Sequence, residues 1–331
     1  MATRSKRSTR RDAKPKAQYR VQNWHDYDRA LVARGDLTLW FDGDALETLW
    51  YSEHLHKAGR PFTYSDTAIQ TVLTLKAVFH MTNRSAEGFT RSLMRKLGYD
   101  LPTPDHTILS RRARTLTVAI ARRMPERGLH LVIDSTGLKV FGEGEWKVRQ
   151  HGYAKRRTWR KVHLGVDAAP APTRGATGQI LAVEMTGSGG ADCDSFSPLL
   201  EQLDEVTSPV EQVSADGGYD KRKVYDALEE RGITAAIPPR EDAALWEEGH
   251  ARNAAVEQIR REGFQAWAES VGYYARARAE NTMYRLKQLL GASLSPRDPD
   301  RQVCEVHVRV ACLNIMTGIG MPRSVRIMPA A

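Results

Sequence analysis

The stretch Leu129-His-Leu-Val-Ile-Asp-Ser-Thr-Gly137 decides the fold prediction. This run is short, rich in branched apolar side chains and closed by glycine, which is typical of a buried strand rather than of a helix. It places Asp134 at or near the end of that strand. Residues 210–215 lead into Asp216 and then Gly217 in the same way. An aspartate before glycine at a strand end is also a common turn former, so neither residue alone identifies a site.

A third acidic residue lies in a predicted helix that runs from Tyr273 to Lys287. At 100° per residue, Tyr273, Arg276, Glu280 and Lys287 fall within a stripe about 60° wide, next to an apolar face. Such a helix can dock on a sheet and still direct Glu280 into a cleft. The alternative is a surface helix covered with ion pairs.

Together these residues resemble those of DDE-type bacterial insertion-sequence transposases, which have an RNase H-like catalytic domain. The resemblance rests on Asp134, Asp216 and Glu280 and on the spacing Tyr-x2-Arg-x3-Glu-x6-Lys between residues 273 and 287. The Asp-Ser-Thr-Gly and Asp-Gly-Gly-Tyr-Asp contexts of the two aspartates also resemble that family. The similarity covers roughly residues 20 to 320 and shows no departure at the three acidic positions.

The expected architecture is α/β, an RNase H-like mixed sheet flanked by helices and preceded by an all-α, helix-turn-helix-like DNA-binding domain. Strands are predicted at 129–136, 161–168, 178–186, 210–216 and 233–237, and helices at about 194–204 and 220–231. The predicted parts are a basic disordered arm at 1–20, a helical domain at 21–125, and a catalytic domain at 126–331 with a short insertion at about 241–272. Within the insertion, a helix is predicted at 253–267.

The positive charge is concentrated in two segments. The chain has a net charge of +9, with a balance of +7 in residues 1–20 and +6 in residues 145–161. This distribution predicts directed contact with a polyanion, and nucleic acid is favoured over a membrane because neither segment has an apolar helical face. No stretch predicts a membrane span, and three cysteines without Cys-x-x-Cys spacing predict a cytoplasmic protein without disulfides. The resemblance to DNA transposases adds the expectation that it is nucleoid-associated.

Residues 65–116 predict the helix-turn-helix-like module. Ser65 is the expected N-cap of its first helix, the second helix starts after Ser85 and ends at Gly98, and the third has Thr103 as N-cap. The third helix carries polar and basic side chains suited to base edges and phosphates in a major groove. They are His106, Thr107, Ser110, Arg111, Arg112 and Arg114. The alternative is an ordinary helical bundle with a solvated arginine-rich face.

The basic segment between the first two strands interleaves aromatic residues with cations. Such a segment can follow a phosphate backbone while an indole stacks on a base, or both indoles can pack under the strands. The candidate DNA contacts are Trp146, Lys147, Arg149, His151, Lys155, Arg156, Arg157, Trp159, Arg160 and Lys161.

The resemblance also implies a mechanism. Asp134, Asp216 and Glu280 are expected to hold two Mg²⁺ ions, or Mn²⁺, with Asp134 shared between them. Water then hydrolyses a phosphodiester at each end of the element, and the freed 3′-OH attacks target DNA. Double-stranded DNA is the expected partner, bound by a homodimer, with Tyr273, Arg276 and Lys287 contacting the element end. A non-catalytic DNA-binding regulator and a stand-alone Mg-dependent nuclease are the alternatives.

Overall fold

A central mixed sheet organises the computed structural model, which describes residues 18–41, 43–52, 63–124, 126–140, 159–168, 178–204 and 208–327. The predicted DNA contacts between positions 146 and 157 lie outside these ranges. They are Trp146, Lys147, Arg149, His151, Lys155, Arg156 and Arg157.

The strands are β1 (Gln18–Val21), β2 (Leu129–Val140), β3 (Trp159–Asp167), β4 (Ile180–Gly187), β5 (Val210–Ser214), β6 (Thr234–Ala236), β7 (Ser293–Leu294) and β8 (Ser324–Ile327). The helices are α1 (Trp24–Ala33), α2 (Gly43–Leu49), α3 (Asp66–Val78), α4 (Asn83–Leu97), α5 (His106–Arg112), α6 (Phe196–Glu201), α7 (Arg222–Glu229), α8 (Ala251–Glu262), α9 (Phe264–Ser270), α10 (Ala277–Leu290) and α11 (Pro299–Ile319).

The main sheet has the strand order β4-β3-β2-β5-β6, with β7 joined to the far end of β2. β2, β3 and β4 pair antiparallel, whereas β5 and β6 run parallel to β2. Three antiparallel strands followed by parallel strands with intervening helices confirm the predicted RNase H-like mixed sheet.

Element boundaries differ from the predictions in three informative places. β2 continues to Val140, because β3 and β7 supply partners for its polar half, so Asp134 lies inside the strand rather than at its end. The predicted helix around residues 253–267 is two helices, separated by Gly263 at φ 89°. The two-residue strand β7 was not predicted, since so short a segment has no periodicity.

Two hydrophobic cores cover the two faces of the sheet. Leu131 and Ile133 face a core built with α6 and α7, whereas Val132 faces one that includes α10 and α11. This alternation follows the two-residue period of a strand. The second core continues without a break into α3, α4 and α5. The N-terminal helices are therefore packed on the main sheet, although the sequence pattern separated them as a domain.

The predicted helix-turn-helix-like segment forms three helices, and their caps test the sequence signals. Ser65 caps α3 and Gly98 ends α4, both as predicted. Thr82 rather than Ser85 caps α4. The cap of α5 is Asp105, not Thr103, because its carboxylate accepts the N–H groups of residues 107 and 108 at 2.7 and 2.8 Å.

The chain ends meet in a two-stranded ribbon. β1 pairs antiparallel with β8, with Tyr19 opposite Arg326. Residues 18–20 are consequently ordered in a strand, which corrects the prediction of a disordered arm that reaches residue 20; residues 1–17 are outside the described ranges. The three cysteines are unpaired, as predicted. Within the described ranges, none of the helices combines the length and apolar character needed to cross a bilayer.

Asn314, buried on α11, fixes the edge strand β4. Its amide oxygen accepts the Ile180 N–H at 2.8 Å, and its amide nitrogen donates to the carbonyls of Ile180 and Ala121 at 2.8 and 3.2 Å. One side chain thus satisfies three backbone groups that would otherwise have no partner in the core.

Replacing Asn314 by leucine should lower the free energy of unfolding by roughly 3 kcal/mol, because each abandoned backbone group costs about 1–3 kcal/mol. Urea denaturation followed by circular dichroism measures the change. Asn281→Leu, at an exposed position of α10, is the matched control and should shift stability by less than about 0.5 kcal/mol. Equal stability of the two variants would contradict a structural role for Asn314.

Candidate active site

Asp134 and Asp216 are brought level by the parallel pairing of β2 with β5. Val132 pairs with Ser214, and each aspartate lies two positions further along its chain. Both project to the sheet face that α10 covers, because Leu131, Ile133, Val213 and Ala215 all point to the opposite core. Neighbouring strands lie about 4.8 Å apart, so this register makes the two carboxylates neighbours.

Asp216 is held by the turn that follows β5. It caps the 3-10 turn Gly217–Tyr219, and its Oδ1 accepts the Gly218 N–H at 2.8 Å. The carboxylate is therefore fixed just beyond the strand, as the Asp-Gly-Gly sequence predicts.

Glu280 lies in the first turn of α10. The predicted continuous helix is corrected here, because Tyr273–Arg276 form a separate 3-10 turn after Gly272 at φ 64°. Tyr273 leaves the predicted stripe and packs on Trp267 and Phe264, with ring centroids 5.3 and 5.9 Å away. Its phenol is still close enough to the site for Asp134, Asp216 and Glu280 to affect its pKa, which burial raises.

Arg276 joins two of the three carboxylates. Its Nη1 donates to Asp134 Oδ2 at 3.0 Å and its Nη2 donates to Glu280 Oε1 at 2.7 Å. The side chain of Asp134 is 14% exposed and that of Glu280 is 56% exposed, so the guanidinium ties a solvated carboxylate to a buried one. The sequence predicted Arg276 as a DNA contact; in this structure it pairs with two of the site's three carboxylates.

The site concentrates negative charge. Burial raises the pKa of the Asp134 carboxyl, and the charges of Asp216 and Glu280 raise it further, whereas the Ser135 N–H and Arg276 lower it. Mutual repulsion among three carboxylates favours a bound cation. Arg276 supplies one positive charge against three negative ones.

The donor set suits a hard divalent cation, since carboxylate oxygens are the ligands that Mg²⁺ prefers. Within the described parts of the chain, however, no three His, Cys, Asp or Glu side chains are arranged as a ready metal cage. Arg276 instead lies between Asp134 and Glu280. The residues fit the cation in chemistry and charge, and binding requires the guanidinium to be displaced.

Tyr219 is a residue near the site that sequence analysis did not select. It is buried, its hydroxyl has no hydrogen-bond partner, and its pKa is raised by burial and by the charges of Asp192, Asp134 and Asp216. The only sequence signal is its place in the Asp-Gly-Gly-Tyr-Asp motif. The ring packs on Phe196 and so fixes the turn that carries Asp216.

The described part of the basic segment is engaged with the protein. Lys161 Nζ donates to Asp192 at 2.6 Å, Arg160 Nε donates to Gln302 at 2.7 Å, and Trp159 is half-buried with Lys139 Nζ 5.6 Å from its ring centroid. DNA contact by these residues remains a prediction and would require Lys161 and Arg160 to change partners. Lys287 is half-buried on α10 and stays a predicted DNA contact.

The third helix of the N-terminal module presents some, not all, of its predicted groove-reading residues. Thr107, Arg111 and Arg114 are exposed. Arg112 is a correction, because it is buried and donates to the Tyr64 carbonyl at 2.6 Å and to Asp66. Its guanidinium holds α3 to α5, so it is not free to read DNA.

The two remaining candidates on α5 are partly covered. The backbone N–H and ring Nδ1 of His106 both bond Glu87 at 2.9 Å, and these bonds lower the pKa of Glu87 to about 2. Ser110 lines a cavity of about 710 Å³ that α5 shares with α3 and α11. Both side chains are half-buried and remain predicted DNA contacts.

Comparison with known proteins agrees with the resemblance seen in the sequence. Two family models, both described as "Transposase DDE domain", match residues 32–143 and 125–315. Among solved structures, the piggyBac transposase synaptic complex with hairpin DNA has 12% identity and a TM-score of 0.37, over 86% of this chain and 73% of that one. The catalytic core of BIV integrase has 13% identity and a TM-score of 0.20, over 49% and 84%. The Drosophila P element transposase strand transfer complex has 13% identity and a TM-score of 0.29, over 59% and 46%.

Replacing Arg276 by alanine should lower the melting temperature in metal-free buffer, because Asp134 and Glu280 lose their shared counter-charge. Added Mg²⁺ should then raise the melting temperature of the variant more than that of the wild type, since the cation no longer competes with a guanidinium. Thermal melts with EDTA and with Mg²⁺ measure both effects.

The control is Arg231→Ala, which removes a surface ion pair with Asp204 and should leave the Mg²⁺ response unchanged. Identical Mg²⁺ responses of Arg276→Ala and the wild type would show that the guanidinium and the cation do not share a position.

Proposed function

This chain belongs to the transposase DDE family, and we propose that it is an insertion-sequence transposase that cuts and joins DNA. In this proposal the protein binds the terminal inverted repeats of its element and hydrolyses a phosphodiester at each end. The resulting 3′-OH is then joined to target DNA.

The observation that carries the proposal is that β-sheet register and Arg276 bring three carboxylates from distant parts of the chain to one region, although they are not arranged there as a ready metal cage. Asp134 and Asp216 share a level on paired parallel strands, and Arg276 joins Glu280 to Asp134. A DNA-binding regulator has no use for this concentration of charge, which leaves a buried aspartate with a raised pKa. Repulsion among carboxylates is unfavourable for folding, and proteins retain such unfavourable interactions chiefly at functional sites.

Asp134, Asp216 and Glu280 would hold divalent cations that activate the attacking oxygen and stabilise the leaving one. The chain's own groups position the substrate around them. Arg276, released from the carboxylates, is placed to pair with a DNA phosphate, for which a guanidinium is suited by its planar fork of donors. Tyr273, packed on Trp267, gives that turn a rigid base.

DNA engagement is assigned to other parts of the chain. The exposed Thr107 and Arg111 of α5 are the best placed of the predicted groove-reading residues, and the basic arm and the segment around residues 145–161 supply phosphate contacts. Two element ends make a homodimer on DNA the expected assembly. A cytoplasmic, nucleoid-associated location follows from the same function.

Replacing Glu280 by glutamine should reduce Mg²⁺-dependent cleavage of a labelled end duplex at least roughly 100-fold, because a cation-binding charge is lost while shape is kept. Binding of the same duplex should persist. Gel analysis of cleavage, together with joining to a plasmid, measures the effect. Glu229→Gln, at an exposed position on α7, is the charge-matched control and should retain activity.

The same assay on the wild type separates the candidate functions. Joining of the cut end to plasmid supports a transposase, cutting without joining supports a nuclease, and binding without cutting supports a regulator. Full cleavage by Glu280→Gln would refute the site assignment.

Replacing Thr107 and Arg111 by alanine should weaken selective protection of the element ends by roughly 10-fold or more, because each good base contact contributes about 1–3 kcal/mol of discrimination. Footprinting on end DNA against random DNA measures selectivity. Arg95→Ala, an exposed cation on α4, is the control and should weaken both DNAs equally. An unchanged end footprint for the double variant would place recognition elsewhere.

A further inference from the structure

Two half-buried arginine side chains stand out, because within the described ranges no acidic partner pairs with the buried part of either guanidinium. Arg285 lies on α10 and Arg34 ends α1, 251 positions earlier in the chain. Nη1 and Nη2 of Arg285 and Nε and Nη2 of Arg34 are buried without a hydrogen-bond partner. Leaving a guanidinium buried and unpaired is costly, so such a pair requires an explanation.

The rest of the structure shows how this protein usually treats a buried arginine. Arg309 donates to the carbonyls of Gly291 and Ser293 at 2.9 and 2.8 Å and pairs with Glu305. Arg252 forms a two-bond pair with Asp220, at 2.5 and 2.8 Å. Arg34 and Arg285 differ from both in having no bonding partner at those nitrogens.

The two guanidinium groups also lie close enough to repel each other. Burial first, and then the charge of Arg34, lower the pKa of Arg285 to about 10. The other group that acts on Arg285 is the Tyr27 phenol, which is not a carboxylate. Two cations that converge without an acid between them form a place for an anion with several oxygen acceptors.

The position of this pair identifies the source of the anion. The exposed face of α10 contains Glu280, Asn281, Tyr284 and Gln288, and Arg285 borders that face. At 1.5 Å and 100° per residue, Arg285 is about 7.5 Å along the helix from Glu280 and about 140° around it, so a DNA strand that reaches Glu280 and lies against α10 passes near Arg285.

We propose that Arg34 and Arg285 form a phosphate site that holds a backbone phosphate of DNA lying along α10, near the cleavage point at Glu280. The proposal rests on the proposed function, because it needs DNA to lie along α10. Entry requires Arg34 to turn outward. Among the residues of α1, Ala30 is the one that is buried, so this helix is lightly held and its end can move.

DNA binding tests the site directly. Arg34→Gln and Arg285→Gln should each weaken binding of a fluorescent 30-bp duplex, by roughly 10-fold for a charge-assisted contact. The double variant should lower the slope of log affinity against log salt by about 0.9, the value for one phosphate, since both arginines share one ligand. Arg29→Gln is the control; Arg29 also belongs to α1 but is exposed and paired with Asp26.

A neutral linkage locates the phosphate. Duplexes in which one phosphodiester at a time is replaced by a methylphosphonate should show one position, near the cleavage point, where the wild type loses affinity and Arg285→Gln does not. Sensitivity of both proteins at every position would overturn the proposal. Removing an unpaired buried charge should not lower the melting temperature, so loss of folding is not expected to obscure the result.

Inorganic phosphate separates failure of the site from failure of the proposed function. At equal ionic strength, phosphate should raise the melting temperature of the wild type above its value in chloride, and neither glutamine variant should respond. If the wild type binds no DNA but responds to phosphate in this way, the proposed function fails and the pair is an anion site of another kind. Variants that keep the wild-type salt slope, whether or not phosphate stabilises them, would overturn the DNA-phosphate site.

Discussion

Parallel pairing of β2 with β5 is the constraint on which the site depends. The register that opposes Val132 to Ser214 fixes Asp134 and Asp216 at one level and on one face. Burial of Asp134 and, to a smaller extent, repulsion from Asp216 and Glu280 are the cost, and they raise the pKa of the Asp134 carboxyl. Arg276, at the start of α10, partly offsets this unfavourable charge because its guanidinium donates to both Asp134 and Glu280. The register of β2 with β5, the burial of Asp134 and the positive charge of Arg276 therefore act together at this site.

β2 connects the acidic site to the rest of the chain through strand pairing and core packing. It pairs with β3, β5 and β7, so its backbone position is determined from both sides. The core on the Asp134 face is continuous with α3, α4 and α5, and Arg112 locks α5 to α3. A packed core does not deform gradually. The helices expected to read DNA are consequently held in a defined relation to the carboxylates.

Local chemistry made much of this predictable, and long-range contacts account for what was missed. Short branched runs predicted the five strands, and Ser65 and Gly98 predicted helix ends correctly because caps act within a few residues. The true length of β2 depends on partners more than twenty residues away. Arg112 is buried because it bonds to Tyr64 and Asp66, which are more than forty residues away in the chain. Its sequence neighbours, by contrast, are typical of an exposed basic helix face. The family resemblance identified the three acidic residues, but it did not predict that the Arg276 guanidinium lies between Asp134 and Glu280.

In the described part of the chain, two residues with unsatisfied buried polar groups lie near the acidic site, whereas others, such as Thr90 on α4 and Arg301 on α11, lie elsewhere. Tyr219 has a buried hydroxyl without a partner beside the Asp216 turn, and Arg285 has two unpaired nitrogens on the helix that carries Glu280. Arg309 and Arg252, further along the chain or on the other side of the sheet, are fully provided with acceptors. If stability were the only requirement, the buried polar groups of Tyr219 and Arg285 would have hydrogen-bond partners, as those of Arg309 and Arg252 do. Because Tyr219 borders the acidic site and Arg285 borders the exposed face of α10, the missing partner of Arg285 is best sought in a ligand, and a polyanion that approaches Glu280 would supply acceptors along that same face.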